Sequence, residues 1–269
     1  MIGEKLESML DGSPAFEPGT VWLVGAGPGD PGYLTVNALR ALQQADTILH
    51  DALIDDRILD LARPEAARVY SGKRAGEHSI DRTALCARMV ELARSGQRVL
   101  RLKGGDPMIF GRGGEEILKL AEAGIPFRIV PGVTAGLAAM AVATIPATQR
   151  DVNRAVVLAT GHAASDADET DWAALARLGQ PLVLYMALRR LDRIAGELIA
   201  GGMVRETPLA VIASATRSDE DILVSTLGTV SEDRKRHPIE PPAVVVIGEI
   251  VTMRERLLRI APAFAGALA

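Results

Sequence analysis

Residues 20–45 read TVWLVGAGPGDPGYLTVNALRALQQA, and the order of elements in this stretch decides the class of fold. The run from Thr20 is short, apolar and β-branched, as a buried strand is, and it stops at Gly25-Ala26-Gly27. From Thr35 onward the apolar residues return at helical spacing, with Thr35 itself in the place of an N-cap. A strand, a glycine-rich turn and a helix in succession form the first half of a strand–helix–strand unit.

Outward from there the same alternation continues. ADTILHD gives a strand ending at Asp51, ARVYSGKR another, RTALCARMVELARSG a helix stopped by Gly96, and QRVLRLKGGDP a strand running into Gly104-Gly105. EEILKLAEAGIP is helical, FRIVPG extended, and TAGLAAMAVATIP a helix of small residues. After a polar break at TIPATQRDVNR (144–154) a second series follows: AVVLATGH, PLVLYM, LRRLDRIAGELIAGG, PLAVIAS and PPAVVVIGEIV. The pattern predicts an α/β protein of two α/β domains, 18–146 and 154–260, with loose termini at 1–17 and 261–269. Mostly parallel sheets with helices on both faces are expected. Ligands of open α/β sheets bind beyond the carboxyl ends of the strands, here at Gly25–Gly27, Asp51, Gly104-Gly105, Pro131-Gly132, Met186 and Ser214. A cleft between the two domains is the expected site.

Composition removes several classes of function. The 269 residues are 48% hydrophobic and 24% charged, which excludes a disordered, collagen-like or disulfide-stapled chain. Thirty Lys+Arg against 34 Asp+Glu leave a net charge of −4, and aromatics are only 3%. Neither a basic field nor rows of stacking platforms is available, so no nucleic acid is expected as a partner. The one cysteine, Cys86, lies at a core position of a helical pattern and cannot build an intrachain disulfide or a cysteine zinc site. His50, His78, His162 and His237 are scattered without an HxxxH pair, so no metal is expected. The N-terminal residues lack the apolar core of a signal peptide, and no run reaches the ~20 apolar residues of a membrane span. A cytoplasmic protein without membrane contact is expected.

Two turns carry the chemistry. VGAGPGDPG (24–32) starts like a dinucleotide fingerprint, but Asp30 stands where the third glycine of G-x-G-x-x-G belongs, and Pro28 and Pro31 stiffen the loop. An anion there opposes a pyrophosphate at a helix N-terminus, which disfavours a nicotinamide dehydrogenase. RLKGGDPMIFGRGGEE (101–116) holds five glycines in 16 residues, with Asp106, Arg112 and Glu115 between them, and has no Walker A spacing. Paired glycines at a strand end let main chain approach a ligand, and Asp106 suits an amine or cation better than a phosphate.

VGAGPGDPGYLT, the HDALI segment, SGKRAG, RLKGGDPMIFGRGGEE, VPGVTAG and LYMAL, in this order, resemble the uroporphyrinogen-III C-methyltransferase family over roughly residues 18–258. GKRAG and GRGGEE favour that family over the later precorrin methyltransferases and over diphthine synthase. No dehydrogenase/ferrochelatase module is recognisable, so the likeness is to the stand-alone form. The resemblance implies transfer of methyl groups from S-adenosyl-L-methionine to C2 and C7 of uroporphyrinogen III. The product would be precorrin-2, by way of precorrin-1, for cobalamin or sirohaem, with S-adenosyl-L-homocysteine as by-product. It implies a homodimer of two α/β domains of the tetrapyrrole methylase type, with the cofactor in the inter-domain cleft. Carried over motif by motif, the cofactor contacts are Pro28, Gly104, Gly105, Asp106, Ile109, Thr134, Ala135, Met186, Ala215 and Ala243. Asp51 and Lys73 match the positions of a proton acceptor and donor.

The residues themselves fit that chemistry. A pyrrole carbon that attacks a sulfonium methyl must afterwards lose a proton, which Asp51 can accept; it can equally stabilise the charge on the ring. Lys73 can donate a proton or hold a carboxylate. Uroporphyrinogen is a polyanion, and Lys73, Arg74, Arg112, Arg150 and Arg154 lie in or beside loops near strand ends. Arg112 and Arg150 are the foremost substrate contacts, with Glu115 placed to orient Arg112 or take a proton. At Thr148-Gln149-Arg150 the sequence departs from the family's Thr-His-Arg, exchanging an imidazole for an amide. A non-catalytic S-adenosylmethionine sensor is the alternative from another class, and it would need neither Asp51 nor Lys73.

Overall fold

A computed structural model describes residue 12 and residues 14–71, 82–162 and 170–261. The chain divides into two compact units, Met1–Thr134 and Ala135–Ala269.

In the first unit the elements run β1 (Val21–Gly25), α1 (Val36–Gln44), β2 (Thr47–His50), α2 (Asp56–Leu59), β3 (Ala67–Tyr70), α3 (Arg82–Arg94), β4 (Val99–Lys103), α4 (Gly113–Glu122) and β5 (Phe127–Val130). The strands form one sheet in the order β3-β2-β4-β1-β5, with every pair parallel. Alternate residues of β4 serve opposite faces. Leu100 and Leu102 join Trp22, Val24, Ile48 and the α1 residues Ala38, Ala41 and Leu42. Val99 joins Val21, Leu23 and Leu49, covered by Met89 of α3 and Leu120 of α4. The helix start expected at Thr35 is present, its Oγ1 accepting from the Ala38 amide at 3.1 Å. Chain leaving β1 crosses one face in α1, and chain leaving the adjacent β4 crosses the other in α4. Neighbouring strands that send their connections to opposite faces open a crevice at their carboxyl ends.

In the second unit α5 (Ala135–Val142) precedes β6 (Val157–Thr160), α6 (Trp172–Arg177), β7 (Leu182–Tyr185), α7 (Leu191–Ala200), β8 (Pro208–Ala213), β9 (Asp221–Thr226), α8 (Val230–Arg236), β10 (Ala243–Ile247) and α9 (Thr252–Ile260). The sheet order is β6-β7-β10-β8-β9. Leu182, Leu184, Leu209, Val211, Val245 and Ile247 form its core with Trp172, Leu191, Ile194 and Leu198.

This unit departs from the sequence reading in two ways. Only β6 and β7 are parallel; β10 runs antiparallel to both β7 and β8, and β8 and β9 form an antiparallel pair. The run AVVVI of β10 is apolar throughout because both faces are covered, and such a run carries no sign of strand direction. The division of the chain also falls at Thr134–Ala135, ahead of the polar break that was expected to end a domain at 146. Helix α5 belongs to the second unit: the Gly136 amide donates to Tyr185 Oη at 3.1 Å, and a side chain at 136 would collide with that ring.

Candidate active site

The crevice of the first sheet is closed by backbone meeting backbone. Gly27 and Gly105 exchange hydrogen bonds, Gly27 N to Gly105 O at 3.2 Å and Gly105 N to Gly27 O at 2.7 Å. Both have positive φ, +76° and +65°, which glycine adopts without strain. A Cβ on Gly132 would sit 2.2 Å from Gly105 O, and one on Gly25 would sit 2.6 Å from Gly132. Most of these glycines therefore let loops approach one another. Gly104 is different: a Cβ there meets only Leu53, at 3.6 Å, so its main chain stays open. Asp106 ties the loops after β4 and β5, Oδ1 accepting from Met108 N at 2.8 Å and Oδ2 from Gly132 N at 3.0 Å. Asp30 caps the short helical turn Pro31–Tyr33 through Gly32 N at 2.7 Å, and faces Arg57 at 3.4 Å. Tyr33, Leu53, Met108, Phe110 and Val133, all exposed, lie on loops beyond the carboxyl ends of β1, β2, β4 and β5. An apolar rim around bare main chain suits a flat organic ligand.

Asp51 follows β2 at this edge with its side chain one-third exposed. Arg101 NH2 donates to its Oδ1, Ser71 Oγ reaches the same oxygen at 3.4 Å, and Lys103 Nζ stands 3.9 Å from Oδ2. Behind it, Glu116 Oε1 accepts from Lys103 Nζ at 2.9 Å and Arg101 Nε at 3.3 Å. Arg101, Lys103 and Glu116 are 3%, 3% and 2% exposed. The sequence reading passed over these three. The available signal was two cations two residues apart inside an apolar strand, which alternation puts on one buried face. His50 adjoins Asp51, its Nδ1 3.3 Å from the Asp51 carbonyl and its ring edge-on to Tyr70. Burial pushes the His50 imidazole below its ordinary value, against the opposing pull of Asp51. Lys73, with Arg74, falls in 72–81, outside the described residues.

Arg112 and Glu115 meet as a bidentate pair, Nε to Oε1 and NH2 to Oε2 both at 2.7 Å, on an exposed surface. Arg112 precedes α4 with φ +56°, and Phe110 nearby has φ +50°. Non-glycine residues in this region carry strain that the surrounding loop must hold. Ile109 immediately precedes Phe110, its amide donating to the Asp106 carbonyl at 3.3 Å. Pro28 is half-buried on the loop after β1, and Thr134 is buried beyond β5.

In the second unit, Ala135 opens α5. Met186 follows β7 and is exposed, with φ +53°. Ala215 lies between Ser214 (φ +46°) and Thr216 (φ +73°) just past β8. Ser214 Oγ donates to Asp219 at 2.8 Å, and Thr216 N donates to Glu220 at 2.7 Å. Ala243 begins β10 paired with Ala213, which brings Ala215 and Ala243 to one edge of that sheet. Arg150 is exposed on a loop pinned by buried Asn153. The Asn153 side chain accepts from Gln149 N at 2.9 Å and donates to Ala147 O at 2.9 Å and Ala155 O at 3.0 Å. Gln149 contributes its amide to this clamp. Among the described residues no helix is long and apolar enough to cross a membrane.

A family model described as Tetrapyrrole (Corrin/Porphyrin) Methylases matches residues 20–231. A Sinorhizobium protein named uroporphyrinogen-III C-methyltransferase is 48% identical over 254 residues, which are 94% of this chain and 91% of that protein. A Yersinia enterocolitica protein named siroheme synthase 1 is also 48% identical over 254 residues, but these make up only 53% of its length, so this chain spans about half of it. The crystal structure of uroporphyrin-III C-methyl transferase from Thermus thermophilus complexed with S-adenyl homocysteine aligns with a TM-score of 0.75 at 37% identity, over 87% of this chain and 99% of that one. Sequence, all-parallel first sheet and glycine-built crevice agree: the chain belongs to the tetrapyrrole (corrin/porphyrin) methylase family.

Proposed function

We propose that this chain methylates uroporphyrinogen III at C2 and then C7, giving precorrin-2 by way of precorrin-1, with S-adenosyl-L-methionine as methyl donor. The observation that carries the reading is the match to the Sinorhizobium relative, which runs the length of both chains. The residues present fit the donor. Gly104 leaves main chain bare beside Leu53 where a larger residue would intrude, and Asp106 fixes that loop through two backbone amides. Gly104, Gly105, Asp106, Ile109 and Pro28 would hold it from the first unit, with Thr134 at that unit's end. Ala135, Met186, Ala215 and Ala243 are the further contacts proposed for it. When bound, it supplies an electrophilic methyl on a sulfonium sulfur.

The chain's own residues do the rest. Arg112 and Arg150 dock the acetate and propionate carboxylates, for which a guanidinium offers a planar pair of donors. Glu115 aims Arg112 through the bidentate pair. Carbon–carbon bond formation leaves the attacking pyrrole positively charged. Asp51, with one oxygen held by Arg101 and its side chain partly open to solvent, accepts the proton the ring then loses. Lys73 is the companion proton donor. The apolar rim excludes water from the reacting carbon. The enzyme works in the cytoplasm as a homodimer, and light scattering at twice the chain mass tests the dimer.

Purified protein, labelled S-adenosylmethionine and anaerobically prepared uroporphyrinogen III should yield a product heavier by two labelled methyl groups on mass spectrometry. No transfer despite donor binding would overturn the substrate assignment. Asp51→Asn should lower kcat by about 10²-fold or more while donor affinity holds, as single-turnover transfer and calorimetric titration with S-adenosylhomocysteine would show.

A further inference from the structure

We propose that Arg101 is the positioning residue for Asp51, and that Lys103 and Glu116 keep Arg101 in place. The inference rests on the reading of Asp51 as proton acceptor and adds how that carboxylate is aimed. The register of the first sheet sets Leu49, Arg101 and Leu23 level on one face. One step further toward the carboxyl edge, Lys103 is level with Gly25, which has no side chain to crowd it. A core face built from Val21, Leu23, Leu49 and Val99 thus turns ionic at the end where Asp51 stands.

Every nitrogen of the Arg101 guanidinium is engaged. NH1 donates to Leu49 O at 3.3 Å, Leu102 O at 3.3 Å and Ser71 Oγ at 3.2 Å. Nε donates to Glu116 and NH2 to Asp51. A rigid planar fork held at all its corners has one orientation, and it fixes Asp51 Oδ1. Among the described residues Asp51 Oδ2 has the 3.9 Å approach of Lys103, and the Asp51 side chain is one-third exposed. Glu116 balances the second buried cation: Arg101 and Lys103 face Asp51 and Glu116, and the formal charges cancel. Its Oε2 has no hydrogen-bond partner among the described residues. Stability alone does not explain the cluster, because apolar side chains of like volume serve as well or better in such places. Pre-orienting an acid–base group does explain it, since a misplacement of about 1 Å can cost 10²-fold in rate.

The test is a double-mutant cycle on the intact enzyme with S-adenosylmethionine and uroporphyrinogen III. Arg101→Lys should lower kcat about tenfold. KM for the tetrapyrrole and affinity for S-adenosylhomocysteine should stay within about twofold. In an Asp51→Asn background the same substitution should change the residual kcat by less than about twofold, the limit of ordinary additivity. Ser71→Ala, a milder cut into the same network at a half-buried position, should give about a threefold loss with the same non-additivity. It keeps the test standing if Arg101→Lys does not fold. Equal losses in both backgrounds, cofactor affinity falling in step with kcat, or an undiminished kcat in these variants would each overturn the positioning role. If Asp51→Asn itself retains full kcat, the proton-acceptor reading falls and takes this inference with it; if Asp51→Asn is slow but Arg101→Lys adds independently, only the positioning role falls.

Discussion

His50 and Asp51 are neighbours in sequence with opposite needs. Asp51 is proposed as a proton acceptor, whereas burial favours the neutral form of the His50 imidazole. An imidazole whose affinity for protons falls on folding takes up its proton more readily in the unfolded chain. Acidification below the ordinary imidazole value of about 6.5 therefore removes stability, and the loss levels off once the pH passes below the folded value. Melting temperature should fall more steeply between pH 7 and 5 in the native sequence than in His50→Gln; parallel curves would show that other groups dominate that limb. Sequence made part of this neighbourhood legible. Asp51 is announced by its place after a strand, and Arg112 and Glu115 are close enough in the chain to be read as a pair. Arg101 and Lys103 were missed because a cation inside a short strand looks like an edge residue until the sheet order puts a strand on either side of it, and Glu116 went with them as their helical partner.

Among the elements, the first sheet was readable because each of its strands ends in a marked turn and each connection carries a helix. The second was less so. DILVST of β9 has only modest alternation and sits at the edge of its sheet, and nothing in a wholly apolar run tells antiparallel from parallel. The small-residue helix α5 was read with the wrong unit because its close-packing partner, Tyr185, lies far along the chain. The glycines that join β1, β4 and β5 were read as functional loops, and they divide into two kinds. Gly132→Ala drives a methyl into the Gly105 carbonyl. It should cost about 1–3 kcal/mol, lowering the melting temperature by several degrees, and should weaken donor binding as well. Gly104→Ala meets only Leu53, at ordinary contact distance, and should weaken donor binding with the melting temperature unchanged. Thermal melts and calorimetry on the two variants separate these cases. Equal melting losses would mean that Gly104 is also a packing glycine.

At the scale of the whole molecule, the chain carries a net charge of −4 yet is assigned a polyanionic substrate. Local cations on exposed loops must outweigh that background, and Arg112 and Arg150 are both exposed to salt. The Debye length shrinks from about 8 Å at physiological ionic strength to about 3 Å at 1 M. KM for the tetrapyrrole should rise with added salt while S-adenosylhomocysteine affinity stays level; a flat KM would argue that the carboxylates are docked by something other than these arginines. Each unit carries its own core, the first on both faces of its parallel sheet and the second around Leu184, Val211 and Val245. Alternating strands and helices foretold this architecture, while the division at Thr134 depends on packing between distant residues and was not foretold.

Cys86 bears on how the protein can be labelled. The chain has one thiol, 5% exposed, and burial together with the nearby Glu116 charge pushes its ionisation upward. It is thus a poor target for maleimides and iodoacetamides while the protein is folded. A cysteine introduced at an exposed position such as Leu178 or Val204 would then be the fast-reacting sulfur, with no native thiol to be deleted first. The native sequence should therefore serve as a near-silent background for fluorophores and spin labels.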